Sequence, residues 1–96
     1  MRHLAVDLGG RESQVCTRDS EAKILEERRV PTSRLPAYLK SQPQSRVILE
    51  TGAEARRLLA KRLVRQIAET GEVAVDFLDE RPHALDIALV FRPEDA

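Results

Sequence analysis

Ninety-six residues, with sixteen Lys and Arg against sixteen Asp and Glu, 42% apolar residues, one Cys and no Trp, predict a single small domain spanning 1–96 and exclude a multidomain enzyme. A chain of this size buries roughly 60 to 70% of its unfolded surface, so its core is modest and a partner subunit would add stability. No apolar run approaches the ~20 residues of a spanning helix, Leu4-Ala5-Val6 is too short for a signal peptide, and a lone Cys16 forms no internal disulfide, so the expectation is a cytoplasmic chain with no membrane partner.

The zero net charge is unevenly spread. Residues 1–68 carry fourteen Lys and Arg against eight Asp and Glu, whereas residues 69–96 carry two against eight. A positive body and an acidic end could meet across a homodimer, and a positive body could attract a polyanion. Two ordinary solvated surfaces account for the same counts equally well.

In chain order, residues 3–8 (His-Leu-Ala-Val-Asp-Leu) read as a strand, and Gly9-Gly10 supplies the permissive backbone of a tight turn. Ser13 to Thr17 follows as the second arm of a hairpin, a turn falls at Arg18-Asp19-Ser20-Glu21, and Lys23 to Val30 is the third strand, ended by Pro31. Thr32 or Ser33 can cap a brief helix carrying Leu35 and Leu39. After the loop Ser41-Gln42-Pro43-Gln44-Ser45, the run Arg46-Val47-Ile48-Leu49-Glu50 reads as a buried strand.

From Thr51-Gly52 the period changes to about 3.6. Ala55, Leu59, Leu63 and Ile67 form an apolar stripe with Ala60, Val64 and Ala68 beside it, and Gly71 supplies the stop. Arg57, Lys61 and Arg65 fall on another face with Arg62 nearby. This basic face is either an ordinary solvated surface or a phosphate contact for nucleic acid. Val73, Val75 and Phe77 alternate as a strand, and Leu85 to Phe91 alternates as another, though after Pro82 it could instead begin a helix. The one candidate seam is Asp79-Glu80-Arg81-Pro82.

The chemistry centres on Asp7, inside an otherwise apolar strand, and Glu50, which ends a later one. A carboxylate withdrawn from water is costly unless it is paired or bound to a cation. Were the first and fourth strands neighbours, both carboxylates would project together and offer Mg²⁺ the oxygen ligands it prefers. The alternative is that Asp7 accepts hydrogen bonds from the Gly9-Gly10 turn while Glu50 helps cap the following helix.

Three blocks carry a resemblance: Val6-Asp7-Leu8-Gly9-Gly10-Arg11-Glu12-Ser13-Gln14-Val15-Cys16, Ile24 to Thr32, and Arg46-Val47-Ile48-Leu49-Glu50-Thr51-Gly52-Ala53-Glu54-Ala55. Over residues 1–55 the chain resembles the N-terminal part of bacterial insertion-sequence transposases with a RuvC-like DEDD domain, the family of RNA-guided recombinases. The resemblance implies a truncated α/β domain of ribonuclease-H-like (RuvC-like) fold. Its mixed sheet would have a three-stranded antiparallel meander, then helix, strand, helix and strand. It further implies Asp7 and Glu50 as catalytic and Mg²⁺-ligating residues, with DNA or RNA as partner.

The family's last two aspartates lie in a Lys-Thr-Asp-x-x-Asp-Ala segment that this sequence lacks. Asp95-Ala96 echoes its last two letters, but residue 92 is Arg, and no motif assigns Asp76, Asp79 or Asp86 to the site. The family's C-terminal domain with its serine nucleophile is also absent from these 96 residues, so complete transposition chemistry is not expected. Residues 56–96, a helix and an acidic strand-rich tail, fall outside the resemblance. Asp-Leu-Gly-Gly is also similar to the first phosphate loop of sugar kinases and actin-like ATPases, though Arg11 replaces their usual Thr. His3, Cys16 and His83 have no metal-site spacing, and Ser13 has no base near it in sequence.

Overall fold

The structure, a computed structural model, describes the backbone of residues 1–50, 54–69, 73–81 and 84–91, with the side chains of residues 1–50, 58–68 and Asp86. Strands β1 (Arg2–Asp7), β2 (Glu12–Arg18) and β3 (Ile24–Pro31) form an antiparallel meander. A 3-10 turn (Thr32–Arg34) leads into helix α1 (Leu35–Lys40), followed by β4 (Ser45–Glu50), α2 (Glu54–Glu69), β5 (Val73–Arg81) and β6 (Ala84–Phe91). The described strands make one mixed six-stranded sheet in the order β3-β2-β1-β4-β6-β5.

The segment 84–91 is the strand that its alternation predicts, not the helix that Pro82 left open: it lies antiparallel to both β4 and β5 and is inserted between them. The candidate seam at 79–82 falls, as far as Arg81, within β5, whose pairing with β6 shifts register between Phe77 and Asp79. Thr51-Gly52, Gly71, Pro82, His83, Arg92 and Asp95-Ala96 lie outside the described residues, as does the side chain of Arg57.

Alternation of side chains explains how the sheet packs. Leu4 and Val6 of β1, Val15 of β2, and Val47 and Leu49 of β4 are buried on one face, against Leu35 and Leu39 of α1 and Ala60, Leu63, Val64 and Ile67 of α2. Each fully buried Leu or Ile contributes roughly 1.5–3 kcal/mol relative to exposure. The α2 stripe is centred on Ala60, Leu63, Val64 and Ile67, with Leu59 half-buried and Ala68 exposed. The opposite face, carrying His3, Ala5, Asp7, Gln14 and Glu50, is exposed. β4 is therefore buried on one face and half open on the other, where Arg46 and Ile48 are half-buried, rather than buried throughout.

The hairpin joining β2 to β3 is held by Asp19, whose Oδ1 accepts the backbone N–H of Glu21 at 2.8 Å and of Lys23 at 3.0 Å. Arg46 anchors β6 to β4. Its Nε donates to Asp86 Oδ1 at 3.0 Å and its Nη2 donates to Oδ2, a bidentate arrangement that satisfies an almost fully buried carboxylate.

Tyr38 ties α1 to the outer strand. Its hydroxyl donates to Glu26 Oε1 at 2.9 Å, and the Arg28 guanidinium lies 5.7 Å from its ring centre. Burial pushes the phenol above its ordinary value near 10, and Glu26 raises it further by accepting its hydrogen bond and through its negative charge. A folded-state value above the unfolded one stabilises the fold fully below about pH 10, and that contribution is lost as the pH rises through the folded value. Tyr38 is the one tyrosine in the chain. Following phenolate absorbance in the folded protein, Glu26→Gln should lower the midpoint of titration; an unchanged midpoint would show that the carboxylate does not act on the ring.

Candidate functional site

Parallel pairing of β1 with β4 places Leu4 beside Val47, Val6 beside Leu49 and Asp7 beside Glu50. Parallel neighbours run in the same direction about 4.8 Å apart, so these two carboxylates stand side by side at the carboxyl ends of adjacent strands. The sheet order diverges here, because the chain passes from β1 toward β2 on one side and from β4 toward β6 and β5 on the other. Such a divergence, outside the carboxyl ends of strands, is where open α/β sheets form their ligand crevices.

The condition that the first and fourth strands be neighbours is therefore met, but the desolvation argument for Asp7 fails. Asp7 and Glu50 both lie on the exposed face, so neither is withdrawn from water and no desolvation cost demands a partner. Nor does Asp7 receive the turn's hydrogen bonds: among the described residues its carboxylate accepts none. Its open-face neighbours are Gln14, directly across on β2, and Arg29 beyond it on β3. Asp7, Gly9, Glu12, Ser13, Gln14 and Arg29 border an open depression of about 260 Å³.

The turn after Asp7 is closed by side chains that sequence reading assigned elsewhere. The Thr32 hydroxyl donates to the Gly9 carbonyl at 2.7 Å and stands 2.8 Å from Ser13 Oγ, which accepts the Gly9 N–H at 3.2 Å. Since Thr32 gives its single proton to Gly9, Ser13 donates to Thr32, and every polar atom in this buried cluster is used. The chain crosses back from β3 with Thr32 N–H donating to Arg11 O at 2.9 Å. Leu8 N–H donates to Glu50 O at 3.1 Å, extending the β1–β4 ladder past Asp7. A Cβ on Gly9 would lie 2.0 Å from the Glu12 carbonyl oxygen, so this crossing of the chain requires glycine.

Thr32 is thus a clamp on the turn and not a helix cap, and neither the 3-10 turn nor α1 has a side-chain cap bond. Ser13, 1% exposed, is a structural relay with no role as a nucleophile. The polar, alternating positions of Ser13 and Thr17 among buried neighbours were the available signal, since a hydroxyl on the inward side of a strand needs a partner.

The other candidates do not converge on the carboxylates. Lys61, Arg62 and Arg65 are exposed on α2, which packs against the opposite face of the sheet from Asp7 and Glu50. Arg62 borders a hollow of about 330 Å³ with Gly10, Thr32, Ser33, Leu59, Leu63 and Gln66. Asp86 is committed to Arg46. Among the described residues no group of three or more His, Cys, Asp or Glu is placed to hold a metal ion, and no helix is long and apolar enough to cross a membrane. No family model, curated protein or solved structure matches this chain.

Replacing Thr32 with Val keeps the shape while removing the proton from Gly9 O and the acceptor from Ser13. Denaturant unfolding should show a loss of about 1–3 kcal/mol, the cost of stranding buried polar atoms. A loss below ~0.5 kcal/mol would mean that the turn is held by the backbone alone.

Proposed function

We propose that this chain is a ribonuclease-H-like domain, related to the N-terminal part of the insertion-sequence transposases it resembles. In this reading Asp7 and Glu50 hold one divalent cation, and the described residues bring it no third carboxylate for phosphodiester cleavage. The observation that carries the reading is the register: two exposed carboxylates, in direct pairing on parallel neighbours, at the carboxyl ends of β1 and β4. The meander followed by helix, strand and helix is the order such a domain requires. A cytoplasmic setting accords with the free Cys16.

The donor set fits one Mg²⁺. Two carboxylates supply hard oxygen ligands, and their exposure lets the ion keep several waters, as Mg²⁺ prefers. It does not fit two. An in-line phosphoryl displacement between two ions needs further oxygen ligands around both, and among the described residues no third carboxylate joins this pair: Asp86 is neutralised by Arg46, and Glu12 lies 3.7 Å from Arg29. The ion would supply charge neutralisation for a phosphate at the open end of the sheet. Asp7 and Glu50 would orient it, and the Gly9 turn would keep Asp7 in place. Lys61, Arg62 and Arg65 face the other side and take no part in this site.

Paramagnetic Mn²⁺ titrated into isotope-labelled protein should broaden the amides around Asp7 and Glu50 first, and Asp7→Asn should abolish that broadening while leaving the spectrum otherwise folded. Broadening spread over the acidic surface, or unchanged in Asp7→Asn, would contradict a cation site at this pair.

A further inference from the structure

β3 is an eight-residue strand at the edge of the sheet, and among the described residues no strand pairs with its outer side. Every side chain from Ile24 to Arg29 is exposed, including two large apolar ones, Ile24 at 49% and Leu25 at 46%. A long edge strand with free N–H and C=O groups is a template for another strand unless something blunts it. Here the charges do not repel a copy of the same strand. They run Glu26-Glu27-Arg28-Arg29, acidic first and basic second, so an identical strand laid antiparallel brings opposite signs together.

We propose that the chain forms a symmetric dimer in which β3 pairs antiparallel with β3 of a second copy, joining two sheets into one. A two-fold axis normal to the sheet keeps the helices of both copies on the same face, so each residue meets one an even number of positions away. Centred on Glu27, this pairing sets Glu26 opposite the partner's Arg28 and Arg28 opposite the partner's Glu26. It also sets Ile24 opposite the partner's Val30. Glu27 meets its own copy, with Arg29 of each strand diagonally adjacent on the same face to offset the repulsion. Pro31, which has no N–H to donate, falls just beyond the paired span.

The paired charges are already positioned for this. Glu26 accepts the Tyr38 hydroxyl at 2.9 Å, Arg28 lies 5.7 Å from the same ring, and their own ion pair is loose at 3.9 Å. Side chains held before association lose less freedom on binding. The proposal is independent of the cation site, since Asp7 and Glu50 lie on β1 and β4.

The test is the mass in solution of the wild type, of Glu26→Arg, of Arg28→Glu, and of the two variants mixed. The wild type should reach twice 10.8 kDa at high concentration. Each variant alone turns both symmetry-related pairs into like charges and should raise the dissociation constant by about tenfold or more. The mixture restores opposite charges at both pairs and should form a heterodimer. A wild type that stays monomeric throughout, a dimer indifferent to both substitutions, or variants that dissociate but do not recombine when mixed would each overturn the proposal. Hydrogen exchange on the unaltered chain gives a second reading: outward β3 amides should slow as concentration rises, and concentration-independent exchange would count against β3 as the interface.

Discussion

The parallel pairing of β1 with β4 is the constraint on which the site depends. Because side chains alternate with a period of two, the register that buries Leu4 and Val6 beside Val47 and Leu49 also sets Asp7 beside Glu50 on the other face. A slip of one residue would turn Glu50 into the helix-covered core and Val47 and Leu49 into water. The apolar core therefore enforces the meeting of two like charges that would otherwise separate. Repulsion between them costs little beside four buried apolar side chains, each contributing roughly 1.5–3 kcal/mol.

The turn that follows β1 acts in the same direction. Gly9 lets the chain pass against the Glu12 carbonyl, and the relay from Gly9 through Ser13 to Thr32 ties the end of β1 to β2 and to the end of β3. With Leu8 bonded to Glu50 across the ladder, the segment bearing Asp7 is fixed on both sides. A carboxylate pair on such a base needs little rearrangement to accept a ligand. On the same face, the pair formed by Arg46 and Asp86 joins β6 to β4, which removes a carboxylate from the chemistry in order to complete the fold.

Much of this was legible in the sequence. The apolar runs of β1 and β4, the turns that bound β2 and the 3.6-residue stripe of α2 name their elements, because runs, turns and periodicity are local signals. Asp7 and Glu50 stood out as carboxylates at strand ends, and their adjacency followed once the two strands were taken as neighbours. The face of Asp7 was readable as well: with Leu4 and Val6 inward, residue 7 must point outward, but Ala5 made the strand look uniformly apolar. What could not be read depends on contacts between distant residues. Ser13 and Thr32 are nineteen positions apart and Arg46 and Asp86 forty, so no local pattern marks either pair. The insertion of β6 between β4 and β5 is likewise set by packing over the whole sheet.

The central claim, that Asp7 and Glu50 act on each other across the parallel ladder, is tested most directly by a double-mutant cycle. Unfolding free energies would be compared for the wild type, Asp7→Asn, Glu50→Gln and the double variant, each with and without Mg²⁺. Without the ion, repulsion can be relieved only once, so the two single variants should each be more stable than the wild type and the double variant less stable than their sum, by about 0.5 kcal/mol or more. With Mg²⁺ the wild type alone should gain stability. Additive effects that do not respond to the ion would show that the two carboxylates share neither a field nor a ligand, and would contradict the account.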